Sequence, residues 1–180
     1  MSPTEWVVSV SAGLIAPFLL VFLVGCLLPR EQVATRSIVL KQSPLSVWDS
    51  ITVFERIPGW WPAVVAVERL PDQGDHPVYK QTFQTGRRRQ QAITIEVTQA
   101  APPERMETHF ADVKGPFQGG WIYEINEADG GCKITITEHR EIANPFIRTM
   151  SRLTMISKTQ FIDSYLVFLG RKFGEQVTPA

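Results

Sequence analysis

GGWIYEINEADGGCKITITEHRE, residues 119–141, decides the reading of this chain. Side chains along a strand alternate between its two faces, so Trp121, Tyr123 and Ile125 fall together, and so do Ile134 and Ile136. Thr135 and Thr137 take the opposite face of the second segment. Between the two, Ala128-Asp129-Gly130-Gly131 carries the turn chemistry of a hairpin. The stretch is therefore predicted as two antiparallel strands, Gly119–Asn126 and Cys132–Glu141, with one apolar face that must be covered.

Further strands are predicted upstream at Ala34–Lys41, Val64–Leu70, Val78–Gln84, Gln90–Gln99 and Arg105–Ala111. In the first, Ile38 and Leu40 are expected on one face and Arg36 opposite them. Pro71 to Asp75 reads as a turn. Ser43-Pro44 has the form of a helix N-cap followed by proline at the first helical position, and Leu45, Val47, Trp48, Ile51 and Phe54 continue at helical spacing. Ile57-Pro58-Gly59-Trp60-Trp61-Pro62 stops that helix, because proline cannot continue the hydrogen bonding. After Asn144-Pro145 a single long helix is predicted, ending near Phe173. Strands thus run consecutively and helices stand apart, an α+β arrangement in which the C-terminal helix is the one large apolar element left to cover the sheet.

Trp6 to Leu28 holds no charged residue and would extend about 34 Å as a helix, enough for a hydrocarbon core of about 30 Å. Leu14, Ile15, Phe18, Leu19, Leu20, Val21, Phe22, Leu23 and Val24 cover every side of it, so it reads as a transmembrane helix rather than an amphipathic one. Leu23-Val24-Gly25-Cys26 also has the form of a lipoprotein cleavage site with Cys26 lipidated, but no cationic segment precedes it. Arg30, Arg36 and Lys41 flank only the C-terminal end, so a single-pass protein with its domain on the cytoplasmic side is expected. The expected organisation is a span over 6–28, a juxtamembrane linker over 29–33 and one domain over 34–175. Formal net charge is +0, which argues against a nucleic-acid partner. Two cysteines, one of them inside the apolar run, make no disulfide framework.

Four stretches resemble the SRPBCC, or START-like, superfamily and its polyketide cyclase/dehydrase-type branch. They are IVLKQSPLSVW (38–48), IPGWWP (57–62), GPFQGGWIYE (115–124), and ITITE (134–138) leading to Asn144-Pro145-Phe146. The resemblance implies a helix-grip fold, a curved antiparallel sheet around a long C-terminal helix with an apolar cavity between them. It leaves the function open, since one fold hosts many.

Phe83, Phe110, Trp121, Tyr123, Met150, Phe161 and Tyr165 are candidates to line such a cavity, or else simply fill a core. Continuing the parity of Ile134 and Ile136 puts Glu138 and Arg140 on the same side, as reader of a polar ligand head or as a plain ion pair. Gly119-Gly120 is expected to permit a bulge or a close helix approach. His109 and His139 fall on the opposite face, and no metal-ligand or cofactor motif is present. Arg87-Arg88-Arg89 is either a solvated turn or a contact for anionic lipid headgroups. The leading expectation is a membrane-anchored binding protein for a hydrophobic or amphipathic, lipid-like molecule. A cyclase/dehydrase-type enzyme using Glu138 and Tyr123 is the first alternative, and an interaction module with a filled core the second.

Overall fold

The computed structural model describes residues 17–86, 89–112, 117–153 and 159–180. Seven strands form one antiparallel sheet in the order β1-β7-β6-β5-β4-β3-β2. They are β1 (Glu31–Leu40), β2 (Val64–Gln73), β3 (His76–Gly86), β4 (Arg89–Ala101), β5 (Arg105–Asp112), β6 (Phe117–Ala128) and β7 (Gly131–Ile142). From β2 to β7 the chain meanders, each strand pairing with the next, and β1 closes onto β7 with Ile38 opposite Ile134. Asp129-Gly130 forms the β6–β7 turn between the paired residues Ala128 and Gly131, and Gly130 takes the left-handed φ of 77° that a side chain disfavours.

Helix α2 (Pro44–Thr52) starts as its sequence dictates. The Ser43 hydroxyl accepts from the Ser46 backbone N–H at 3.3 Å, and Pro44 occupies the first turn, where no N–H is needed. Val47, Trp48 and Ile51 bury its inner face, and a short 3-10 turn over Phe54–Gly59 follows. The C-terminal region forms α3 (Pro145–Leu153) and α4 (Gln160–Lys172), with residues 154–158 of the predicted single helix outside the described residues. Ile162, Tyr165, Leu166 and Leu169 of α4 are buried against Ile38, Leu40, Ile134 and Ile136 of the sheet, forming one core. The C-terminal tail then pairs with the free edge of β1, Ser37 and Ala180 exchanging two backbone bonds of 3.0 Å, which covers part of an otherwise exposed edge.

Several expectations need correction. Strand β1 begins at Glu31, inside the stretch read as a linker, and β2 runs on to Gln73 so that only Gly74-Asp75 turns the chain. Arg36 shares its face with Ile38 and Leu40, as a two-residue period requires. It reaches α4, its Nε donating to Asp163 Oδ1 at 3.0 Å and Nη2 to Thr159 Oγ1 at 3.2 Å. Gly119 and Gly120 make no bulge, since register runs unbroken on both sides. They permit close approach of neighbouring strands, where a Cβ would lie 2.0 Å from the His139 carbonyl oxygen and 2.5 Å from that of Thr108.

Among the described residues no helix is long and apolar enough to cross a membrane. Residues 17–27 form a helix, α1, and the expected span upstream of them, 6–16, lies outside the described residues. On α1 Phe18, Leu19, Leu20, Phe22, Leu23 and Val24 are exposed, and Leu27 is 87% exposed.

Candidate functional site: an aromatic cavity under the C-terminal helix

Each central strand sends an i, i+2 pair toward α4. Gln81 and Phe83 come from β3, Ile93 and Ile95 from β4, Thr108 and Phe110 from β5, Trp121 and Tyr123 from β6, and Glu138 and Arg140 from β7. Phe161, Ser164 and Tyr165 of α4 face them, and Phe54, Ile57 and Trp61 close one side. Between these walls lies a cavity of about 460 Å³, within the usual range for small-molecule sites.

Aromatic rings set its shape. The Trp61 ring packs against Tyr165 (4.9 Å between centroids), Phe161 (5.0 Å), Phe83 (5.6 Å) and Trp121 (6.4 Å). Three of these contacts are edge-on, the arrangement that places a positive ring edge on a negative face. Its indole N–H donates to Ser164 Oγ at 3.3 Å, which ties the loop after the 3-10 turn to α4. Trp121 stands 5.8 Å from Tyr123 and 5.6 Å from Phe161, so the ring set is continuous.

Polar groups are few and placed at distinct depths. Tyr123 and Tyr165 are both buried, and burial pushes the Tyr123 phenol well above its ordinary range, with the neighbouring Tyr165 and the Glu138 charge adding to the rise. Tyr165 is pushed up by burial and partly drawn back by Tyr123. The two hydroxyls influence each other, yet Tyr165 Oη lacks a hydrogen bond of full geometry. Both phenols therefore stay protonated near neutral pH, as donors for a ligand acceptor. Nearer the end of β7, Glu138 is only 3% exposed and its Oε1 accepts from Arg140 Nε at 3.1 Å and Nη2 at 2.5 Å. A buried carboxylate needs such a partner, because an unpaired one carries a large desolvation cost.

Eight of the nine residues expected at the site, Phe83, Phe110, Trp121, Tyr123, Glu138, Arg140, Phe161 and Tyr165, line this one cavity. Met150 does not; it lies on α3, which packs elsewhere. The sequence places Trp61 in a helix stop and in one of the resembling stretches but not among the site candidates, although it has more ring neighbours than any expected site residue except Trp121 and Tyr165. Arg89 is exposed at the start of β4, while Arg87 and Arg88 lie outside the described residues.

The polyketide cyclase / dehydrase and lipid transport family model matches residues 31–160. The chain belongs to this family. Solved structures agree on the fold. A conserved protein from Geobacillus kaustophilus aligns with a TM-score of 0.65 at 16% identity, covering 82% of this chain and 99% of that one. Ara h 8.0201 gives 0.62 at 13% identity, covering 81% and 99%. The ZhuI aromatase/cyclase from Streptomyces sp. R1128 gives 0.59 at 9% identity, covering 78% and 93%. At such identities these likenesses speak to the fold alone. No curated protein matches the chain. Within the polyketide cyclase / dehydrase and lipid transport family, its own residues must carry the functional reading.

Proposed function

We infer that this family member is a membrane-anchored binding protein for a hydrophobic or amphipathic, lipid-like small molecule. One observation carries the reading: a cavity of about 460 Å³ walled by aromatic and aliphatic side chains, with the Glu138–Arg140 pair on its lining. The walls suit an apolar body, while Arg140 and the protonated phenols suit a polar group on the same ligand. The cyclase-type alternative asks Glu138 and Tyr123 to move protons. Tyr123 holds its proton far above neutral pH, and Glu138 is engaged by Arg140, so neither is poised for that work.

Native mass spectrometry of the full chain released from mild detergent is expected to show a copurified apolar ligand. Tyr123→Phe is expected to leave the melting temperature nearly unchanged while lowering ligand occupancy. An empty wild-type cavity that also takes up no added lipid would sink the binding reading. Turnover of a supplied polyketide-like substrate that disappears in Glu138→Gln would favour the enzyme instead.

The anchor reading rests on the charge-free run over 6–28 and on the exposed apolar face of α1. It goes with a domain on the cytoplasmic side and with headgroup contact near Arg89. Lipidation at Cys26 fits less well, because cleavage there would remove Val21 and Gly25, whose carbonyls accept from Thr149 and Arg148. The full chain is expected to stay with membranes through carbonate extraction, and its release would remove the anchor from the proposal.

A further inference from the structure

Helix α1 does not hang free of the domain. Phe18 stacks on Phe146 of α3 with 6.4 Å between ring centroids, and Thr149 Oγ1 donates to the Val21 carbonyl at 2.8 Å. Arg148 Nη1 donates to the carbonyls of Gly25 at 2.8 Å and Leu28 at 3.0 Å. Residues 18, 21, 25 and 28 recur at three- and four-residue spacing, which is one face of a helix. Gly25 is required on that face, since a Cβ would lie 1.9 Å from the Pro145 carbonyl oxygen.

Arg148 is the centre of this contact. It is 3% exposed, and its Nε and Nη2 donate to the carbonyls of Ile142 at 3.1 Å and Ala143 at 2.9 Å. Among the described residues no carboxylate pairs with it. Four backbone carbonyls stand in for a counter-ion, two of them at the C-terminal end of α1, where the helix dipole is negative.

Phe18 lies ten residues before Leu28, about 15 Å back along the helix axis. A bilayer that takes up the charge-free run to Leu28 therefore holds Phe18 inside the hydrocarbon rather than at its edge. The exposed Phe146 ring, which stacks on Phe18, then reaches into the hydrocarbon, while the backbone of the same turn lies at Gly25, less than one helical turn from Leu28. Resting on the anchor reading of α1, we propose that α3 is embedded in the bilayer interface, held there by the Arg148 clasp. The clasp thereby fixes one end of the cavity at the headgroup layer and makes the ligand a bilayer-borne amphiphile.

The sheet supports that orientation. Glu31, where β1 leaves α1, pairs with Glu141, the neighbour of Arg140, and Gln118 at the start of β6 lies in the same row. Antiparallel alternation brings the start of β4, with exposed Arg89, to this end as well. Arg30, after α1, and Arg152, in the last turn of α3, are also exposed. Cations at this end suit an anionic headgroup layer. The β6–β7 turn at Asp129 lies at the opposite end of the sheet.

The test uses the full chain with Cys26→Ser, reconstituted in phosphatidylcholine/phosphatidylglycerol vesicles that contain acyl-chain nitroxide lipid. Single cysteines replace Leu20, Phe146 or Asp129 in turn and carry an environment-sensitive fluorophore; Cys132 is buried and does not compete for label. Labels at Leu20 and Phe146 are expected to be quenched at least about twofold, as for a face sunk into the acyl boundary, and the label at Asp129 to be unaffected. Arg148→Lys, which cannot reach four carbonyls at once, is expected to reduce quenching at Phe146 and leave Leu20 quenched. Quenching at Leu20 without quenching at Phe146 overturns the embedded α3 while leaving the anchor standing. Absence of quenching at both removes the anchor reading itself. Unchanged quenching at Phe146 in Arg148→Lys overturns the clasp.

Discussion

Trp61→Ala is expected to cost about 3–5 kcal/mol of stability, the range for removing a buried tryptophan from a packed site. Its ring contacts four others, Phe83, Trp121, Phe161 and Tyr165, and its N–H ties the loop to Ser164 of α4. The substitution removes the ring and orphans the hydrogen bond together. Set against a typical total of about 5–15 kcal/mol, the loss leaves a domain close to unfolding at growth temperature. Trp121 lines the same cavity as Trp61, so Trp121→Ala is expected to fall in the same range, each loss lowered where the ring borders existing void. Thermal unfolding followed by far-ultraviolet circular dichroism avoids reading the deleted fluorophore. A loss below about 1 kcal/mol at Trp61 would contradict a packed ring cluster.

Gly119→Ala carries the second large effect. The added methyl would sit 2.0 Å from the His139 carbonyl oxygen and 3.0 Å from the Phe110 ring. The carbonyl is backbone, so β6 and β7 must part at the point where Gly119 pairs with Arg140. Overpacking of this kind typically costs about 1–3 kcal/mol, and here it also displaces the Glu138–Arg140 pair, so ligand occupancy should fall along with the melting temperature. Gly86→Ala is the control, because a Cβ there meets nothing within 4 Å. Equal melting temperatures for the two variants would show that the strands accommodate the methyl freely.

Much of the site was legible because strand parity is a local property. Trp121, Tyr123, Glu138 and Arg140 share the inner face by counting in twos from Ile125 and Ile134, and Phe83 and Phe110 follow from their own strands. The same count, applied strictly, puts Arg36 beside Ile38 rather than opposite it. Met150 failed for a different reason. An apolar period reports that a helix face is covered but not by which element, and α3 packs on α1 and β7 instead of closing the cavity. Trp61 sits in a proline-bounded segment without a repeating period, so nothing local set its side chain apart from that of Trp60.

The sequence by itself determined the succession of strands along the chain, the N-cap at Ser43, the hairpin at Asp129-Gly130 and the inward residues of β6 and β7, since all of these depend on neighbours a few positions apart. Only the tertiary structure decided the close strand approach at Gly119, the central place of Trp61 and the clasp of Arg148. The approach at Gly119 is set by the neighbouring strand β7, and the ring cluster gathers five aromatics from widely separated segments. Arg148 finds its acceptors more than a hundred residues away at the C-terminal end of α1 as well as at the end of β7. Those acceptors are backbone carbonyls, which every residue possesses, so no residue type marks them until the chain has folded.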